Sequence, residues 1–198
     1  MIRHSSRFCL TIAAAALLWC ASDAVTLAAK TPVPIPNTSW ETGGKLKAKA
    51  SKLGGFSSLG EAGISFSPAD GIGFPATGTF NCVISDLDPD VDFVITVTGT
   101  YSQDELGKIL LTPEEAPIET QINDLIMGLL AEVPIVPDDL AVEMIKCSAK
   151  AKTGTSTKLG TYIKLKFQAK AAVIVTLGPD TVVLKVNMSY NGVGTPAT

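Results

Sequence analysis

Four aspartates at alternating positions, Asp86, Asp88, Asp90 and Asp92, form the densest group of metal-capable side chains in the sequence. Carboxylates converging from one loop could wrap a hard cation such as Ca²⁺, which takes roughly six to eight oxygen ligands. The EF-hand arrangement needs Gly at its sixth position and an acidic residue at its twelfth. Counted from Asp86, those positions hold Val91 and Val97. The competing expectation is a solvated turn, with Asp side chains capping nearby amides and Pro89 fixing the chain.

Further acidic pairs occur at Asp104-Glu105, Glu114-Glu115 and Asp138-Asp139. A carboxylate-based hydrolase would need two such groups in one cleft with different environments, which adjacency in sequence does not supply. For each pair the expected role is a solvated turn or a helix cap.

His4 is the only His, and it lies in the leader described below. The remaining chain lacks the usual general base and triad imidazole, and two Cys cannot make a His/Cys zinc site. No Gly-x-Ser-x-Gly elbow or phosphate-binding Gly-x-x-x-x-Gly-Lys-Ser/Thr loop occurs, and Gly71-Ile72-Gly73 is too short for a dinucleotide site. These features point to a noncatalytic protein.

The first residues follow the pattern of a secretory signal. Arg3, His4 and Arg7 form a basic head, residues 8–19 an apolar stretch, and small residues follow. The stretch is shorter than the roughly 20 residues a membrane-crossing helix needs. Residues 1–24 are therefore expected to be a signal peptide, and cleavage as late as residue 28 also fits the small-x-small rule. Cys20 could be a lipidation site, but the bulky Trp19 before it opposes that. The expected location is secreted, cell-surface or periplasmic.

Removing the leader leaves Cys82 and Cys147, which in an oxidising compartment are expected to form one disulfide. It would close a loop of about 65 residues and contribute roughly 2–4 kcal/mol. After residue 24 every basic side chain is one of 14 Lys, against 18 acidic groups, a net charge of −4.

These charges are segregated. Residues 86–143 contain 14 acidic groups and only Lys108, whereas residues 144–198 contain eight Lys and only Asp180. Such a dipolar chain could associate with its own copies. Nucleic acid is not an expected partner, because phosphate-tracking surfaces often use bidentate Arg and no Arg remains.

Hydrophobic patterning indicates which elements carry these groups. Residues 25–44, with Pro32, Pro34 and Pro36, read as an extended arm, and Trp40 as an anchor at its end. Residues 45–198 read as a single β-rich domain. Leu46, Ala48 and Ala50 alternate with Lys45, Lys47 and Lys49, as do Ile163, Leu165 and Phe167 with Lys164 and Lys166. The lysines of these segments, with Lys170, would form an outward basic stripe. Anionic lipid or acidic polysaccharide could meet it, or it could be a solvated face that discourages edge pairing.

Val182, Leu184, Val186, Met188 and Tyr190 form the clearest half-buried strand, preceded by the Gly178-Pro179-Asp180 turn. The one helix signal starts at Thr112-Pro113-Glu114-Glu115 and continues through Ile118, Ile122, Leu125, Ile126, Leu129 and Leu130. Seven or eight strands with one helix predict a mainly β fold, an antiparallel β-sandwich or small β-barrel with one helix packed near 118–131.

No apolar run after the leader is long enough to cross a membrane as a helix. The expected function is an exported noncatalytic structural or binding module for a protein or polysaccharide. The rival is a carrier of a small apolar ligand or lipid in a barrel cavity.

Overall fold

In the computed structural model, residues 32–69, 74–88, 91, 93–131, 137 and 139–197 are described. The expected signal peptide lies outside them. Eight strands follow in chain order: β1 (Thr38–Ala50), β2 (Gly54–Pro68), β3 (Ala76–Asp86), β4 (Val94–Gln103), β5 (Ile109–Pro113), β6 (Asp139–Ser156), β7 (Gly160–Leu177) and β8 (Asp180–Pro196). One helix, α1 (Glu115–Ala131), lies between β5 and β6. Each strand pairs antiparallel with its sequence neighbour, and β8 pairs with β1. The sheet is thus a closed barrel rather than a sandwich, and no strand is left at a free end of the sheet.

Strand alternation sets inside from outside. On β1, Trp40, Leu46, Ala48 and Ala50 are buried while Glu41, Lys45, Lys47 and Lys49 are exposed. The interior is filled by large side chains such as Trp40, Phe66, Phe80, Phe167 and Tyr190. Apolar inside and polar outside is the reverse of the pattern by which β-strands face lipid. No described helix is long and apolar enough to cross a membrane.

The wall is thin beside β5, which is only five residues long. It pairs with the Gly99–Gln103 half of β4 and meets β6 at a single position, Leu111 opposite Ala149. Helix α1 packs on β4 and β6 beside this gap and buries Ile118, Ile122, Ile126 and Leu130 along one stripe. Gln121 makes the join. Its Oε1 accepts the Thr96 N–H at 2.7 Å, and its Nε2 donates to the Thr96 carbonyl at 2.8 Å. One side-chain amide thereby occupies the donor and acceptor that a neighbouring strand would otherwise pair.

The helix begins three residues later than Thr112. The Glu114 N–H still bonds the Thr98 carbonyl at 2.8 Å, which keeps Thr112 and Pro113 on the β4 ladder. Pro117 then falls in the first helical turn, where its missing N–H has no intrahelical partner to lose.

The sequence also places residues 25–44 in an arm, but 38–44 form the first part of β1. Only 32–37 of the described arm remain outside the barrel wall, and they are fixed at one end of it. The Ile35 N–H donates to Gln103 Oε1 at 3.1 Å, and Gln103 Nε2 donates to the Val33 carbonyl at 2.8 Å. Ile35 and Gln103 are both fully buried.

Gln103→Leu should strand both backbone groups, at about 1–3 kcal/mol for each one that water cannot reach. Urea unfolding should show the loss, and limited proteolysis should cut residues 32–37 faster. An unchanged cleavage rate would show that Gln103 does not hold the arm.

Candidate functional site

The aspartate motif sits at the β3–β4 connection, of which Asp86 and Asp88 are described while Asp90 and Asp92 lie outside the described residues. The Asp86 carboxylate is engaged locally: Oδ1 accepts the Asp88 N–H at 2.7 Å and Oδ2 accepts the Ser58 hydroxyl from β2. This is the capping role expected of Asp in a turn. Among the described residues no three His, Cys, Asp or Glu side chains gather as a metal-binding group.

The described members of the other acidic pairs are likewise engaged locally. Asp104 Oδ1 accepts the amides of Leu106 and Lys108, and Glu114 Oε2 accepts the Thr98 hydroxyl at 3.1 Å. Asp139 accepts the Leu140 amide at 2.9 Å, and Asp138 is outside the described residues.

Cys82 and Cys147, the pair expected to form a disulfide, both stand as free thiols in this structure. Cys82 points into the core from β3, Cys147 lies on β6, and β4 and β5 separate these strands around the wall. Burial pushes the Cys82 thiol from 9.0 up to about 12. Burial, and then the Glu115 charge, push Cys147 from 9.0 up to about 11.

The folded chain therefore holds these thiol protons more tightly than the unfolded chain does. Their stabilising contribution is complete below about pH 9 and is lost as pH rises towards the folded-state values. Urea unfolding at about pH 8 and about pH 10 should show the decline. A Cys82→Ala, Cys147→Ala variant should show a shallower one, and identical slopes would exclude the thiols as its source.

The lysines, in contrast, are brought together. Three pairs stand directly opposite one another on the outside of β6 and β7: Lys146 with Lys170, Lys150 with Lys166, and Lys152 with Lys164. Around the wall the register continues through β8 to β1, where Asn191 links Lys166 to Lys45 and Asn187 links Lys170 to Lys49. The row between holds Ser148, Gln168, Ser189 and Lys47. No acidic residue occurs in these three rows. Lys164 rests over the ring of Tyr162, 5.6 Å from its centroid.

A β-bulge makes this face possible. The β6–β7 register shifts between Met144 and Lys146. Before it, Leu140, Val142 and Met144 face the core; after it, Cys147, Ala149 and Ala151 do. The extra residue changes the phase of alternation, so Lys146, Ser148, Lys150 and Lys152 all face outward. The sequence carries this signal as a switch of apolar positions from even to odd, although alternation read from Leu140 to Met144 alone misses it.

At the centre of the face is an open depression of about 360 Å³, bordered by Lys146, Lys150 and Lys166 and floored by Ser148, Gln168 and Asn191 among others. Directly opposed like charges oppose strand pairing. Three such pairs, two adjacent and one beyond the Ser148–Gln168 pair, thus cost the barrel stability.

A second cavity, of about 320 Å³, lies at the barrel end bearing the β1–β2 turn. Its lining is largely apolar and includes Leu53, Phe56, Phe93, Leu125, Leu129 and Val186. The helical stripe expected from sequence thus divides: Ile118, Ile122, Ile126 and Leu130 are core, while Leu125 and the exposed Leu129 border this cavity. Comparisons with protein-family models, curated proteins and solved structures found no match to this chain.

Proposed function

We propose that the chain is an exported, noncatalytic binding module that takes an anionic partner on the outer face of β6, β7, β8 and β1. The observation that carries this reading is the set of three opposed lysine pairs, Lys146 with Lys170, Lys150 with Lys166, and Lys152 with Lys164, with no acidic residue between them. Their repulsion is unfavourable in the free protein and is relieved when counter-charge arrives, so binding is coupled to the strain of the face itself.

Lys150→Glu separates binding from folding because it should move the two in opposite directions. The new carboxylate would stand opposite Lys166 and raise stability by about 0.2–1 kcal/mol, while retention on an anionic matrix should fall. If retention is unchanged and stability drops, the face is not the binding surface.

The cavity beside Leu125 and Leu129 supports a second reading, a carrier of a small apolar ligand, since its volume reaches the lower part of the usual ligand-pocket range of roughly 300–1,000 Å³. Native mass spectrometry should then find a stoichiometric apolar adduct that Leu125→Trp abolishes. Adduct-free protein from the native host would remove this reading.

A further inference from the structure

We infer that the partner of the lysine face is an acidic polysaccharide, a linear chain of carboxylated sugars; this inference rests on the anion-binding reading above. Three observations select that chemistry over other anions. The first is extent. From Lys164 to Lys170 the face runs about 20 Å along β7, and its four strands span about 14 Å, so the charges are spread for a polymer with repeating anionic groups rather than one small ion.

The second is the interleaving. Between the lysines stand the hydroxyls of Ser148 and Ser189 and the amides of Gln168, Asn187 and Asn191. These are neutral groups that both donate and accept. A phosphate chain offers mainly acceptors to such groups, whereas a uronic-acid chain offers hydroxyls beside each carboxylate and can satisfy both capacities. The depression of about 360 Å³ gathers Ser148, Gln168, Ser189 and Asn191 within a border of three lysines.

The third is what the face lacks. Its outward positions in the rows of Lys166, Gln168 and Lys170 are Lys, Ser, Asn and Gln, and exposed apolar side chains stand only at its margins, Val193 opposite Lys164 and Ile145 at the bulge, rather than as a continuous patch that could enter a bilayer. At the margin, Tyr162 is partly exposed beside Lys164 and offers a ring against which a sugar can lie.

The test uses the chain without its expected leader and three probes: an oligogalacturonate series, inorganic polyphosphate, and vesicles containing anionic lipid. Oligogalacturonate should bind with an affinity that rises with length and falls with salt. Lys150→Gln with Lys166→Gln should weaken it by about tenfold or more. Ser148→Ala with Asn191→Ala should weaken oligogalacturonate while leaving polyphosphate binding unchanged. Circular dichroism and the thermal midpoint verify that each variant is folded.

If polyphosphate or vesicles bind as well as oligogalacturonate and the Ser148, Asn191 variant affects none of them, the polysaccharide inference fails while the anion-binding reading stands. If no probe binds even at low ionic strength, both fail. Sedimentation in low salt gives the last outcome: self-association abolished by the lysine variant would assign the face to a second copy of the chain and overturn the inference.

Discussion

Gly44→Val is expected to open the barrel where β1 meets β8 and to lower the unfolding free energy by about 3 kcal/mol or more. Gly44 lies opposite Gly60 on β2 and Gly192 on β8. A Cβ at Gly44 would stand 2.2 Å from the Asn191 carbonyl oxygen and 2.4 Å from the Gly192 Cα. Both obstacles are backbone, so no rotamer change relieves them; the strands must separate. Because this seam closes the sheet, separation exposes unpaired edges on both strands.

Gly43 supplies an internal control. It is the adjacent residue on the same strand, but a Cβ there meets nothing within 4 Å. Hydrogen exchange should show lost protection along β1 and β8 in Gly44→Val, retained protection along β6 and β7, and neither change in Gly43→Val. Equal urea midpoints for the two variants would refute the close approach at the seam.

Trp40→Ala should cost about 3–5 kcal/mol, through lost burial and the cavity left behind. The side chain is only 2% exposed and is among the largest in the core. Its indole N–H also donates to the Thr38 hydroxyl at 2.8 Å, and that hydroxyl donates to the Ile35 carbonyl. Trp40 therefore supports both the barrel interior and the docked arm.

Trp40→Phe separates the two roles, since it keeps most of the buried volume and removes the donor. A loss nearer 1 kcal/mol is expected from that change. Urea unfolding measures both, and proteolysis of residues 32–37 reports the arm. A Trp40→Ala variant as stable as Trp40→Phe would show that the ring's burial contributes little.

Much of the architecture was legible where apolar and polar residues alternate with large side chains. Residues 182–190 show this on β8, and 45–50 on β1. The stretch from Gly54 to Pro68 is harder to read, because Gly60 and Ala62 occupy inward positions between Phe56 and Ile64. Small residues bury as well as large ones but leave little periodic signal. β5 leaves no such signal, since five residues with Pro113 at the end give too short a pattern.

Ala171 to Leu177 lacks the alternation of Ile163 to Phe167, yet both segments belong to the single strand β7. Its far part has one face on the core and the other only partly covered, so apolar residues occupy both faces and the alternation disappears. The even-to-odd switch on β6 was likewise present in the residues, but its meaning depends on a bulge placed against Ala171 and Lys170.

Residue chemistry and spacing alone therefore determined a β-rich chain with one amphipathic helix and lysines on outward strand positions, and removed imidazole and Arg from everything after the expected leader. Tertiary structure alone decided that Lys150 faces Lys166, that Cys82 and Cys147 are separate, and that the neutral amides and hydroxyls fall between the lysines. The physical reason is register. Alternation acts within one strand and needs only nearest neighbours, whereas the partner opposite each residue is set by barrel closure, strand pairing and one added residue at the β6 bulge.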